Sequence, residues 1–169
     1  MGQAMESTKG LAATILLAAI GVLGGALLFE HVGGLAPCVL CLWERWPWWI
    51  AAAITIPVLL LAPVRRALGP ALPALFALIF AGSFALAAYH VAVEQHWIAG
   101  PATCSAPLSG ARSFADFQNM VVNRPVVRCD EVPWALFGVS LAGFNALFSA
   151  LIAILALRTM RRFRPEAAR

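Results

Sequence analysis

An all-α integral membrane protein is the fold class that this 169-residue sequence predicts: a four-transmembrane-helix bundle with two exported loops. Composition is the first observation behind it. The chain is 62% hydrophobic and 12% charged, where soluble domains carry about a quarter charged residues. The second is a set of four apolar stretches near the roughly 20 residues that a helix needs to cross about 30 Å of hydrocarbon. Such unbroken runs suit helices, which satisfy their own backbone in lipid, and lack the alternation of a membrane barrel. A mean hydropathy of +0.83 excludes disorder. The third observation is an asymmetry in where the cations fall along the chain. The length fits one domain, residues 1–169.

The first span runs over about 11–29, without a charge. Lys9 precedes it as in a secretion signal, but the apolar run is long for one and no small-x-small cleavage site follows, so it is expected to be a retained helix. Within it Gly21 and Gly25 form a small-xxx-small pair, the usual mark of close helix packing. The second span covers about 46–62, with Pro47 in its first turn and Pro57 expected to kink it. The third covers about 71–93, with Pro70 and Pro73 near its start, and the fourth about 134–157. The loops outside the cytoplasm are then about 30–45 and 94–133. In the second of these Ser113 and Asp116 resemble a capping box followed by Phe114, Phe117 and Val121 at helical spacing. A short interfacial helix fits there, and an irregular loop fits equally.

Orientation follows from Lys and Arg, which favour the cytoplasmic side. Lys9, Arg65, Arg66 and the tail residues Arg158, Arg161, Arg162, Arg164 and Arg169 hold eight of the twelve cations. The first and third loops hold Arg45, Arg112, Arg124 and Arg128. Both termini are therefore expected in the cytoplasm. The net charge of +4 is too modest to point to nucleic acid. All six tryptophans, Trp43, Trp46, Trp48, Trp49, Trp97 and Trp134, belong to the exported side. An interfacial belt explains most of them, but one-sided crowding implies that this rim also lines something flat and hydrophobic.

Cys38, Cys41, Cys104 and Cys129 all lie in the exported loops, where disulfides persist. Four cysteines allow three connectivities. The expected resting arrangement pairs Cys38 with Cys41 in a C-x-x-C and Cys104 with Cys129 across a long stretch. A C-x-x-C ring closes almost no chain entropy, so it reads as a redox pair or metal ligands, whereas the longer bridge can act as a staple. Metal is not expected, because the second pair is not C-x-x-C-spaced and no knuckle or ribbon pattern surrounds either half. The C-x-x-C also precedes the second helix, whose positive end lowers a thiol pKa. Arg45 follows Cys41 by four residues, one turn along the same face, where its guanidinium can hold an anion. Glu44 is expected to be its neighbouring counter-ion.

The run from Phe29-Glu30-His31 through Pro37-Cys38-Val39-Leu40-Cys41-Leu42-Trp43-Glu44-Arg45 closely resembles the bacterial disulfide bond formation protein B family, DsbB. Pro101-Ala102-Thr103-Cys104 and Cys129-Asp130 resemble it too, and the four-span architecture extends the likeness over the whole chain. What the resemblance implies is a quinone-dependent thiol:disulfide oxidoreductase of the bacterial inner membrane. It would reoxidise a periplasmic thioredoxin-fold dithiol oxidase, DsbA-like, and pass electrons to ubiquinone or menaquinone. By matching position, Cys104 would receive the partner's thiolate and Cys129 would be released. Cys38 would exchange with that loop, and Cys41 would meet the quinone beside Arg45. His90 falls near a histidine that the family uses around the quinone, and Trp43 belongs to the tryptophan cluster expected to hold the ring. Neither flavin nor metal is implied. Glu30, His31 and Asp130 match locally without an assigned mechanism.

The implied direction needs a strong sink. A structural disulfide at about −300 mV could oxidise a partner at about −120 mV only uphill, by roughly 8 kcal/mol. Two other readings compete: a quinone reductase of the vitamin K epoxide reductase type, which carries its C-x-x-C on a late helix, and a non-enzymatic scaffold with two structural disulfides. Asn145, polar inside the fourth span, is explained by hydrogen bonding between helices.

Overall fold

The computed structural model describes residues 2–69, 71–104, 113, 118 and 127–163. Among the described residues five α-helices carry the fold: α1 (Gly2–His31), α2 (Val39–Leu60), α3 (Ala62–Leu68), α4 (Leu72–Glu94) and α5 (Leu141–Phe163). Within them Glu6–His31, Leu72–Glu94 and Leu141–Arg161 are long and apolar enough to cross a membrane. The pair α2 and α3, bent by 118° at their junction, passes the same test only when taken together and is a fourth candidate span. The bend falls at Leu61, whose backbone is extended, and not at Pro57. Pro63 follows in the first turn of α3, where proline is tolerated, and its nitrogen has no proton to continue the ladder from α2.

The bundle closes on apolar residues from every long helix. In α1 Leu11, Ile15, Ala19 and Leu23 recur every four residues and are buried against Trp48, Ala51 and Val58 of α2. Leu72, Phe76 and Phe80 of α4 and Ile152 and Ala156 of α5 complete that core. Ser83 and Ser149 share a hydrogen bond of 2.9 Å between α4 and α5, the kind of polar contact that joins helices in lipid. Outward-facing Leu17, Leu60, Leu78 and Leu151 are all more than half exposed, as a lipid-facing surface requires.

Two helix ends differ from expectation. Helix α2 begins at Val39 and not near residue 46, so the C-x-x-C is part of its first turn. The last helix begins at Leu141 and not at Trp134, because residues 135–140 form an antiparallel hairpin, Ala135 opposite Ser140 and Leu136 opposite Val139. Phe137 and Gly138 at its tip both have positive φ, 52° and 78°, as a two-residue type I′ turn demands. Between α1 and α2 the chain turns at Gly33, where a Cβ would stand 2.7 Å from the Phe29 carbonyl oxygen. The interfacial helix expected around Ser113 and Asp116 lies outside the described residues, apart from Ser113 and Gln118.

Candidate functional site

Cys38 is the N-cap of α2, and its Sγ accepts the Cys41 amide N–H at 3.1 Å. Sulfur thus takes the place an oxygen usually holds at a helix start. The Cys38 thiol lies below the ordinary thiol range because it accepts hydrogen bonds from Cys41, side chain first and amide after, against the opposing effects of burial and the Glu44 charge. Cys38 and Cys41 are free thiols here, not the expected bridge, whereas Cys104 and Cys129 are bonded as expected.

From Cys38 a chain of polar side chains crosses the bundle. His90 of α4 brings Nε2 to 3.6 Å from Cys38 Sγ, and its Nδ1 lies 2.6 Å from Glu44 Oε1. Asn145 of α5 donates to the other Glu44 oxygen at 2.7 Å, and Trp48 Nε1 donates to Asn145 Oδ1 at 2.8 Å. All four of these partners are buried. Glu44 therefore turns inward and is not the counter-ion of Arg45. That part falls to Glu30 of α1, whose Oε2 lies 2.6 Å from Arg45 Nη1.

A cavity of about 520 Å³ opens beside this chain. Cys38, Cys41, Glu44, Arg45 and Trp48 line it from α2, His90 and Glu94 from α4, and Asn145 and Phe148 from α5. Phe29 and Trp134 close another side, with ring centroids 4.9 Å apart. Gly21 and Gly25 line it as well, and a Cβ on either would meet nothing within 4 Å. Their missing side chains keep space open and do not serve close helix packing. Trp43 is 45% exposed and is not among the lining residues; Trp48, fully buried, and Trp134 are the tryptophans that are.

The second cysteine pair sits against the first. Cys104 and Cys129, with Cα atoms 5.3 Å apart, are buried in one apolar cluster with Cys38, Leu40 and Val93. Cys104 also lines a shallow groove with Trp97, Gly100 and Asp130. Arg128 holds Asp130 through two hydrogen bonds, 2.9 and 2.6 Å, which depress its carboxyl to about 2.

A family model described as disulfide bond formation protein DsbB matches residues 8–159 of this chain. The chain belongs to the DsbB family. Curated relatives agree with this assignment. A disulfide bond formation protein B of Verminephrobacter eiseniae is 32% identical, covering 93% of this chain and 88% of its own. The one of Aromatoleum aromaticum is 30% identical, with 94% and 95% covered, and that of Marinobacter nauticus is 29% identical, with 90% and 92% covered. No solved structure matches the chain. The spans and the family together make this a multi-pass membrane protein.

Seen as a DsbB-family chain, the site unites Cys38, Cys41, Arg45 and His90 around one cavity, with Cys104 and Cys129 against its outer edge. Reading the sequence missed Glu44 as a partner of His90, Trp48 and Asn145 as its supports, and Glu94. Glu94 is buried at the end of α4 and accepts the hydroxyl of Ser140. The signal was present in the helical spacing: positions 41, 44, 45 and 48 form one face of α2, and 90 and 94 one face of α4. Ionisable residues inside an apolar span are functional candidates by default.

Proposed function

We propose that this protein generates protein disulfides in the periplasm by reoxidising a thioredoxin-fold dithiol partner and delivering the two electrons to a membrane quinone. The observation that carries this reading is a single helix face presenting Cys41 and Arg45 to an apolar cavity, while the loop disulfide packs on Cys38. The cavity's volume lies within the roughly 300–1,000 Å³ of small-molecule sites, with aromatic walls and a few convergent polar groups. A quinone ring fits that chemistry, with Phe29, Trp134 and Phe148 for its faces and Arg45 for an oxygen. When bound, the quinone supplies the two-electron, two-proton sink.

The chain's own residues do the rest. The partner's thiolate attacks Cys104 Sγ, the Cys104–Cys129 bond breaks, and Cys129 leaves as the thiolate. The partner's second thiol then displaces Cys104, so the partner departs oxidised with the loop pair reduced. Through Cys38, that pair reduces a Cys38–Cys41 disulfide by the same exchange and returns to its bonded form. In this reading a bonded loop pair beside a reduced C-x-x-C, the pairing described above, is the arrangement expected after this transfer. Re-forming the Cys38–Cys41 bond releases two electrons and two protons. Helix N-terminal amides favour the thiolates, and Arg45 offers positive charge beside Cys41. His90 stands within reach of the Cys38 proton.

In this reading the protein lies in the bacterial inner membrane with both termini cytoplasmic. Arg65, Arg66, Arg158 and Arg161 fall toward the opposite ends of their helices from the cysteine site, which supports that orientation. Purified protein supplied with a reduced thioredoxin-fold partner should reduce ubiquinone or menaquinone analogues, and Cys41→Ser should abolish turnover. Full turnover in Cys41→Ser would contradict the proposal.

A further inference from the structure

We infer that the reduced Cys38–Cys41 pair and His90 form a binding site for a thiophilic d10 cation, zinc(II) foremost. The ligand atoms of these three residues all lie within 4.8 Å of one another, and no other such group of His, Cys, Asp or Glu occurs among the described residues. The Cys38 Sγ to His90 Nε2 separation of 3.6 Å suits a shared metal. With zinc–sulfur and zinc–nitrogen bonds of about 2.3 and 2.0 Å at a tetrahedral angle, the two ligands stand roughly 3.5 Å apart.

What surrounds these atoms goes further than proximity. His90 Nδ1 faces a carboxylate oxygen of Glu44, so Nδ1–H donates there and the Nε2 lone pair points at the sulfurs. A histidine oriented by a carboxylate is the arrangement that fixes metal-bound imidazoles, and Asn145 and Trp48 hold that carboxylate in turn. Both thiols are free and stand at the start of α2, Cys38 as its N-cap and Cys41 in its first turn, and a metal would bind them as thiolates. Two thiolates and a neutral imidazole balance a divalent charge, so occupation adds no net charge to a buried place. The cavity beside Cys41 leaves the fourth position for water or another small ligand. Two sulfurs and a nitrogen select against magnesium and calcium. The third ligand lies on a different helix from the C-x-x-C, which is why cysteine spacing alone argued against metal.

Binding replaces two S–H bonds by two S–metal bonds and releases two protons, with no change of oxidation state. Because the same sulfur electron pairs would form the disulfide, ligation and oxidation exclude each other. Zinc thus acts as a brake that holds the C-x-x-C reduced.

Cobalt(II) serves as the spectroscopic probe, titrated into the full-length Cys104→Ser/Cys129→Ser chain, reduced and desalted without oxygen. The expected result is one cobalt per chain, with a thiolate-to-cobalt band in the near ultraviolet and tetrahedral bands in the visible, all displaced by zinc. Cys38→Ser should remove the ultraviolet band's stoichiometric endpoint, and Glu44→Gln should weaken binding by about tenfold or more. In the unmutated reduced protein, zinc should protect Cys38 and Cys41 from alkylation, a readout that requires no variant to fold. Absence of the thiolate band, equal affinity in His90→Ala, or no protection in the unmutated protein would overturn the inference. Neither quinone nor partner enters these measurements, so they fail or succeed apart from the oxidase reading.

Discussion

The two cysteine pairs carry the same chemistry on different mountings. Cys38 and Cys41 are built into the first turn of a long helix, and a buried polar chain from three helices backs them. Cys104 and Cys129 lie outside the long helices and are joined by a covalent bond, with Cys104 in a single turn of 3-10 helix. Only the first pair lines the large cavity. Under the proposed function, the difference lets one chain serve two unlike substrates. A pair that must meet a small flat acceptor gains from a rigid, pre-organised pocket, while a pair that must meet another protein gains from a segment able to leave its seat. Both loop sulfurs are buried, so an incoming thiolate needs that segment to move.

The largest expected effect separates the pairs outright. Cys104→Ser/Cys129→Ser should lose turnover with a protein dithiol, yet retain quinone reduction driven by a small dithiol that reaches the C-x-x-C directly. Equal loss with both donors, measured by quinone absorbance, would break the division of labour. A smaller effect tests the rigid mounting. Asn145→Ala strips a partner from Glu44 and from Trp48 and should cost about 2–4 kcal/mol in bundle stability. Denaturant unfolding in detergent reads it, and a cost under about 0.5 kcal/mol would mean that the polar chain does not support the site.

The smallest effect concerns the loop side alone. Asp130 is held at about 2 by Arg128, below the usual carboxylate value. A depressed carboxyl contributes stability that is present above its unfolded pKa and lost as pH falls through its folded one. The ion pair should therefore persist through pH 4 and disappear only as pH falls toward about 2, a titration that carboxyl NMR can follow. A midpoint near 4 would show that Arg128 does not hold it.

Helices and the C-x-x-C were legible because hydropathy over 20 residues and cysteine spacing are strong local signals. Boundaries were less so. Trp134 through Val139 reads as apolar, and a short apolar run does not distinguish a strand from a helix start; Gly138 after Phe137 was the available turn signal. Crowding hid the difference between Trp43 and Trp48. Only the phase of α2, set by its start at Val39, puts Trp48 on the Cys41 face and Trp43 outside. The Glu44–His90 pair joins residues 46 positions apart on two helices and follows from the packing of α2 on α4, which no local pattern encodes.

The central claim is that the cavity beside Cys41 and Arg45 is where the quinone binds. Photoaffinity labelling with an azido-quinone, followed by peptide mapping, tests it most directly. The account predicts labelling of the peptides bearing Phe29, Trp134 and Phe148, suppressed by excess unlabelled quinone. Labelling confined to the outward face of Trp43, Trp46 and Trp49, with those cavity peptides unmarked, would contradict it.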